Sequence, residues 1–261
     1  MQRLYPQPVV AVPEPEQARW LAEAYRYPGE AVAGRPWVRA CMVSGLDGAA
    51  AWQGRSGGLS GAADAQVLAV QRALADVVLV GAGTARSEGY GPADVHPELG
   101  AARIAAGQEP APAIAVVSAR LELDPGSDLF ARPAASPGAR TLVITARQAP
   151  TAARRALERV AEVVVAGEEQ VDPPAAVRAL AARGWYRILS EGGPQLLGRI
   201  WAAGLLDELC LTVSPLITAG DASRILRGPG PGAADRTPMA LASVLTADGF
   251  LFTRYTRATC A

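Results

Sequence analysis

Short apolar runs recur along this chain, and most are followed by segments whose apolar residues repeat at helical spacing. The runs at 76–80 and 113–117 are apolar almost throughout, as expected for strands buried on both faces of a sheet. Strands that alternate with helices form a parallel sheet covered on both faces, and ligands bind at the carboxyl ends of its strands. The pattern therefore predicts an α/β protein with a ligand site at one sheet edge.

The last third of the chain departs from this alternation. Residues 206–214, 241–245 and 249–256 are strand-like, and only the turn Asp248-Gly249 separates the last two, which predicts an antiparallel hairpin. The predicted fold is a three-layer α/β/α protein with a mixed, mostly parallel central sheet. Other predicted strands are 37–43, 141–145, 161–165 and 185–190, and predicted helices are 14–25, 64–74, 151–159, 174–183 and 195–201.

The first 34 residues are rich in Pro, Glu and Tyr, and we interpret residues 1–34 as an N-terminal extension packed on the outside. Residues 35–261 then form one domain. The chain has 25 acidic and 25 basic residues, which favours a small-molecule partner over nucleic acid or a membrane surface. Every basic residue is arginine, so a mechanism that needs a lysine amine is excluded.

The cysteines Cys41, Cys210 and Cys260 are odd in number and far apart, which argues against a disulfide framework and favours a reducing, cytoplasmic compartment. No CxxC spacing occurs, and His96 is the only histidine, so we expect no metal site. Cys41 and Cys210 lie in apolar strand-like runs, where cysteine usually acts as a small core residue.

Four strand ends carry glycine or serine: 44–48, 81–84, Ser118 and 191–193. In a mostly parallel sheet they fall on one edge, so these segments can surround a single ligand. Thr84 could donate to a phosphate, and Arg86 could meet a 2′-phosphate or be a solvated loop arginine. Asp47 has two possible roles, a turn cap or a catalytic carboxylate.

Glu191 precedes Gly192-Gly193-Pro194 at a strand-to-helix junction. Glycines let a backbone approach a phosphate, and a helix start offers unpaired N–H groups. The alternative is a tight turn with Pro at the first helical position. The Glu191 carboxylate could accept the adjacent N–H donors of an aminopyrimidine or pterin edge, or it could deliver a proton.

Several ordered motifs over about residues 35–257 resemble the pyrimidine reductase family, the C-terminal reductase domain of riboflavin-biosynthesis deaminase-reductases. Stand-alone actinobacterial-type members are the most similar, because Glu88-Gly89-Tyr90 follows the Gly-x-Gly-Thr loop. The other motifs are Arg35-Pro36-Trp37, Leu46-Asp47-Gly48, Arg72-Ala73-Leu74-Ala75-Asp76, Val80-Gly81-Ala82-Gly83-Thr84, Ser190-Glu191-Gly192-Gly193-Pro194 and Gly204-Leu205-Leu206-Asp207-Glu208-Leu209.

The resemblance implies a dihydrofolate reductase-like fold, NADPH as hydride donor and a substrate like 5-amino-6-(5-phosphoribosylamino)uracil. It implies Glu191 and Asp47 as catalytic residues, and Gly57, Arg72 and Glu191 as substrate contacts. It also implies a homodimer, for which the apolar run 209–213 could pair across subunits. The implied cofactor contacts are Val43, Asp47, Leu59, Gly81, Gly83, Thr84, Glu88, Ser118, Gly192, Gly193, Pro194, Gln195 and Leu196.

One departure from the family concerns a lysine that bifunctional members place ahead of the Leu-Asp-Gly motif. The corresponding position here is at or next to Cys41. The proton for the reduced substrate must then come from Glu191, Asp47 or water. Two alternatives remain open: a reductase of a dihydrofolate-like pterin or a natural-product intermediate, and a nucleotide-binding module without catalysis.

Overall fold

One mixed sheet runs through the computed structural model, which describes residues 1–29, 35–131, 141–228 and 237–258. Cys260 lies outside these ranges. The strands are β1 Gln2–Tyr5, β2 Val10–Ala11, β3 Trp37–Ser44, β4 Val77–Gly81, β5 Ala113–Val117, β6 Leu142–Thr145, β7 Glu162–Val165, β8 Arg187–Ser190, β9 Leu206–Val213, β10 Met239–Ala247 and β11 Phe250–Arg257. The α-helices are α1 Gln17–Ala24, α2 Ala62–Leu74, α3 Ala82–Glu88, α4 Gly100–Ala105, α5 Thr151–Glu158, α6 Pro173–Ala181 and α7 Pro194–Ala202.

The strand order is β2-β1-β10-β11-β9-β3-β8-β4-β5-β6-β7. Every pair from β9 to β7 is parallel, and every pair from β2 to β9 is antiparallel. The predicted mixed, mostly parallel sheet is confirmed. The predicted hairpin is confirmed too, because Ala247 pairs with Phe250 and both turn residues, Asp248 and Gly249, have positive φ.

Helices cover both faces of the sheet, as the apolar strands predicted. Along β4, Val77 and Leu79 pack with α6 and α7 on one face. Val78 and Val80 point to the opposite face and pack with α3 and α5. This alternation follows from the two-residue period of a strand, so an all-apolar strand requires cover on both sides.

The N-terminal segment is part of this architecture. Strand β1 pairs with β10 and extends the sheet, while Leu21 of α1 and Tyr25 are buried against α2 and Phe252. The sequence had predicted the helix but not the two added strands. None of the helices in the described ranges is long and apolar enough to cross a bilayer.

The prediction that residues 209–213 pair across subunits was wrong. Strand β9 lies inside the sheet, hydrogen-bonded to β3 on one side and to β11 on the other. An interior strand has no unpaired backbone groups to offer a second chain.

A buried network of charged side chains connects the N-terminal segment to the sheet. The Arg39 side chain is fully buried, with Nε 2.9 Å from Glu208 Oε1 and its guanidinium 4.0 Å from the centre of the Tyr27 ring. Arg254 Nε donates to the same Glu208 oxygen at 2.5 Å and its Nη1 donates to the Ala24 carbonyl. The network therefore joins β3, β9 and β11 to the chain that follows α1.

Candidate active site

A cleft of about 780 Å³ opens at the carboxyl ends of the central strands. Glu191 after β8, Gly83 and Thr84 after β4, and Ser118 after β5 all line it. The predicted convergence of these strand ends is therefore present in the structure. The segment 44–48 is the exception, because the cleft wall on that side is formed by Met42, Ala50 and neighbours farther along the loop.

The floor of the cleft is glycine backbone. Gly81 N donates to Gly192 O at 2.7 Å, and the Gly192–Gly193 peptide bond is cis. A Cβ at Gly193 would lie 2.5 Å from Thr84 Oγ1, and one at Gly81 would lie 3.4 Å from Gly193 N. At Gly83 a Cβ would meet nothing within 4 Å. A side chain at Gly193 would therefore require Thr84 to move, while a Cβ at Gly83 would enter open space.

Glu191 is held by two side chains from different elements. Arg72 on α2 donates from Nε to Oε1 at 2.7 Å and from Nη2 to Oε2 at 2.6 Å, a two-pronged ion pair. The Tyr90 hydroxyl donates to Glu191 Oε2, and its ring lies under the Arg72 guanidinium at 5.4 Å. Only 4% of the Glu191 side chain is exposed, against 34% for Arg72, so the carboxylate is fixed in position and the arginine is half-buried.

These contacts shift the pKa values of Tyr90 and Arg72. Burial raises the pKa of the Tyr90 hydroxyl, and the nearby Glu191 carboxylate raises it further. Burial works against the charge on Arg72, but Glu191 outweighs it and the pKa of Arg72 is raised. Both partners therefore stay protonated and serve as donors to the carboxylate. The sequence had offered Tyr90 only as part of a motif, since nothing local shows that it reaches a residue 101 positions away.

Cys41, at or next to the position expected for the family lysine, lies on β3 beside Gln71, whose Nε2 donates to Sγ at 3.4 Å. Burial raises the pKa of the Cys41 thiol, and the carboxylates of Asp64 and Glu191 raise it further. The group is therefore a neutral thiol near neutral pH and a poor nucleophile. It does not replace a lysine as a source of positive charge.

Asp47 binds a loop rather than the cleft. Its Oδ2 accepts from Ala219 N at 2.7 Å and Thr218 N at 2.9 Å, and Oδ1 accepts from Ala49 N at 3.3 Å. These backbone N–H groups lower the pKa of Asp47. A carboxylate in this environment is a weak proton donor, so the geometry favours the turn-cap role over the expected catalytic role.

Glu88, at the end of α3, accepts hydrogen bonds from the glycine-rich loop 48–58. The Ser56 backbone N–H donates to Glu88 Oε1 at 2.7 Å and the Ser56 hydroxyl donates to it at 3.0 Å. Both residues line the cleft, so this pair bridges two of its walls.

The predicted site residues divide into two groups by position. Those that line the cleft are Gly81, Gly83, Thr84, Glu88, Ser118, Glu191, Gly193, Pro194, Gln195 and Leu196. Those outside the described lining are Val43, Asp47, Gly57, Leu59, Arg72 and Gly192. Leu59 is fully buried, and Arg72 contacts the lining residue Glu191. Within the described ranges no group of acidic, cysteine or histidine side chains is arranged to hold a metal ion.

The lining also contains arginines that the sequence did not single out: Arg120, Arg199 and Arg227, in addition to Arg86. Arg120 lies two residues after Ser118, in the segment that follows β5. Arg199 lies on α7, and its Nη2 donates to Gln170 Oε1 at 2.9 Å. Proximity of Arg120 to a predicted strand end was the one sequence signal that could have identified it.

Comparison with known proteins gives a consistent result. Residues 36–249 match the family model described as the RibD C-terminal domain. A reductase from Archaeoglobus fulgidus, named for 2,5-diamino-6-ribosylamino-4(3H)-pyrimidinone 5′-phosphate, is 32% identical over 187 residues, which is 71% of this chain and 83% of that protein. A reductase of the same name from Methanothermobacter thermautotrophicus is 28% identical and covers 75% of this chain and 86% of its own.

Among solved structures, a pyrimidine reductase-like protein from Corynebacterium diphtheriae has a TM-score of 0.81 and 28% identity. The alignment covers 92% of this chain and 99% of that one. The similarity therefore includes nearly all of the sheet and its helices.

Proposed function

We propose, from the premise that this chain belongs to the pyrimidine reductase family of the RibD C-terminal domain, that it reduces a ribosylaminopyrimidine 5′-phosphate with NADPH. Family membership makes it an oxidoreductase associated with riboflavin biosynthesis. The observation that carries the finer proposal is the cleft, where a glycine floor and the fixed Glu191 carboxylate meet at the carboxyl ends of parallel strands.

The cleft suits a dinucleotide in two respects. Gly81, Gly83 and Gly193 bring no side chains into the lining, so a phosphate can contact backbone there. The hydroxyls of Thr84 and Ser118 offer donors along the same edge. NADPH, when bound, supplies a hydride, and the residues that would hold it are Gly83, Thr84, Ser118, Gly193 and Gln195.

Glu191 is the proposed contact for the pyrimidine ring. Each carboxylate oxygen has two lone-pair directions, so the bonds from Arg72 and Tyr90 leave acceptor capacity for a ring N–H or amino group. The Tyr90 hydroxyl donates to Glu191, so the pair carries one proton beside the proposed contact for the ring. Cys41 supplies no charge there, which leaves this pair or water as the proton source.

The substrate is proposed to be the diaminopyrimidinone named for the two curated relatives. It differs from the aminouracil that the sequence suggested at ring position 2, where an amino group replaces an oxygen. An amino group is a hydrogen-bond donor and matches a carboxylate such as Glu191, whereas the oxygen is an acceptor.

The test follows the loss of NADPH absorbance with the diaminopyrimidinone and the aminouracil separately, and with dihydrofolate as a control. Faster turnover of the diaminopyrimidinone is the expected result, and a preference for the aminouracil would move the substrate assignment to that compound. Cofactor binding without oxidation on all three compounds would support a non-catalytic module instead. Turnover confined to dihydrofolate would favour a pterin reductase.

The homodimer also remains a proposal, since the strand expected to form it is internal. Sedimentation velocity at micromolar concentration measures it directly, and a monomer at every concentration would remove it.

A further inference from the structure

Two exposed arginines meet one carboxylate at the cleft rim beyond β5. Glu122 Oε1 lies 3.8 Å from Arg120 Nη1, and Glu122 Oε2 lies 4.0 Å from Arg86 Nη2. Arg86 also donates to the Glu122 backbone carbonyl. The side chains are 82%, 48% and 61% exposed for Arg120, Arg86 and Glu122, so these ion pairs are long, hydrated and easily exchanged.

The cluster lies two strands from Glu191 along the edge of the sheet. From β8, which ends at Glu191, the order continues through β4 to β5, which precedes Arg120. Neighbouring strands are about 4.8 Å apart, which separates the two strand ends by roughly 10 Å along the sheet edge. A dinucleotide whose reactive ring lies near Glu191 and whose phosphates cross the glycine floor therefore directs its adenosine half toward Arg86 and Arg120.

We propose that Arg86 and Arg120 bind the 2′-phosphate of NADPH and that Glu122 is the carboxylate this phosphate displaces. A phosphate monoester carries nearly two negative charges and three acceptor oxygens, so it pairs with two guanidinium groups better than one carboxylate does. The inference rests on the proposed function, because it assumes a nicotinamide dinucleotide in this cleft. It makes the three residues determinants of the choice between NADPH and NADH.

Glu122 lowers the net charge of the cluster from two positive charges to one. In dinucleotide sites an acidic residue commonly binds the free ribose 2′-hydroxyl of NAD, whereas arginine accommodates the 2′-phosphate. Glu122 therefore favours NADH relative to NADPH, and the two arginines oppose it. Removal of the carboxylate tightens NADPH binding, while removal of either arginine weakens it.

The experiment measures dissociation constants by isothermal titration calorimetry for NADP⁺, NAD⁺, adenosine 2′,5′-bisphosphate and ribose 5-phosphate. The proteins are wild type, Arg86→Gln, Arg120→Gln, Glu122→Gln and the control Arg26→Gln, an exposed arginine that pairs with Glu23 and does not line the cleft. We expect each cleft arginine variant to weaken NADP⁺ and the bisphosphate about tenfold, the value of one charge-assisted hydrogen bond. NAD⁺ should change less than about threefold in the arginine variants, and Glu122→Gln should tighten both NADP⁺ and the bisphosphate without tightening NAD⁺.

Each alternative result has a distinct meaning. Equal loss of NADP⁺ and NAD⁺ affinity, or no loss of either, would overturn the 2′-phosphate assignment and leave the reductase proposal standing. Weakened ribose 5-phosphate binding with unchanged bisphosphate binding would also overturn it, because the arginines would then hold the substrate phosphate. Binding of neither dinucleotide by wild type would refute both proposals together.

Discussion

The ion pair between Arg72 and Glu191 should couple the stability of α2 to the β8–α7 junction. A double-mutant cycle with Arg72→Gln, Glu191→Gln and the double variant isolates that coupling. Glu191→Gln leaves a half-buried guanidinium without its anion, and Arg72→Gln leaves an almost fully buried carboxylate without its cation. Arg72→Gln should lower the free energy of unfolding more than Glu191→Gln does, because the Glu191 side chain is less exposed than that of Arg72.

The magnitude follows from burial and bond number. Removing one partner of a fully buried pair costs about 3–5 kcal/mol, but Arg72 retains a third of its exposure, so we expect about 2 kcal/mol for Glu191→Gln and about 3 kcal/mol for Arg72→Gln. The coupling should be about 2 kcal/mol. In thermal unfolding, the loss in Glu191→Gln corresponds to roughly 4–8 °C for a domain of this size.

The assay is urea unfolding at pH 7, followed by tryptophan fluorescence, with no ligand added. The matched control is the same cycle on Arg147 and Glu168, whose Nε and Oε2 atoms are 2.9 Å apart but whose side chains are 70% and 64% exposed. Its coupling should stay below about 0.5 kcal/mol. A coupling for Arg72–Glu191 as small as that of the control would refute the view that this pair is a structural clamp.

Three further predictions concern Gly193, Glu208 and Asp47. Gly193→Ala should destabilise the protein by about 1–3 kcal/mol because its Cβ would clash with Thr84 Oγ1, and adding Thr84→Ala should restore much of the loss in urea unfolding. If the second substitution restores nothing, the clash lies elsewhere. Glu208→Gln should cost about 3–5 kcal/mol at pH 7, since it strands the buried Arg39 charge. Burial would raise the pKa of Glu208, but Arg39 and Arg254 outweigh it and hold the pKa below its usual value, so its contribution is complete above the ordinary glutamate pKa and is lost as the pH falls through the lowered one. The stability gap between wild type and Glu208→Gln should therefore narrow in acid, and a gap that is constant down to pH 2 would contradict this. Asp47→Asn should increase amide hydrogen exchange at Thr218 and Ala219 while leaving the hydride-transfer rate within a few-fold, and a collapse of that rate would return Asp47 to the catalytic residues.

Local patterns in the sequence were enough to predict most strands of the central sheet. Strand β5 was predicted at its observed bounds, and the final hairpin followed from Asp248-Gly249. These elements are specified by contiguous apolar runs and by turn chemistry. Strand β1 escaped prediction because Gln2–Tyr5 has no apolar alternation and depends on pairing with β10 at the other end of the chain.

The candidate site was predictable in outline but not in its contacts. The strand-end glycines identified the cleft, because parallel strands end on one edge whatever their separation in sequence. The pairing of Arg72 with Glu191 joins side chains 119 positions apart, and the bond from the Ala219 backbone N–H to Asp47 joins residues 172 positions apart. A single sequence contains no signal for such pairs. The buried Arg39 was likewise hidden, since a charged residue in a strand is ordinarily assigned to the solvent face.

The glycine floor separates two kinds of positions for protein engineering. Gly81 and Gly193 contribute main-chain atoms to the cleft lining, and a side chain at Gly193 would require Thr84 to move. Arg120, Arg227 and Gln195 are exposed residues of the same lining. Libraries that randomise these three exposed positions and keep the glycines fixed should yield folded variants with altered ligand preference.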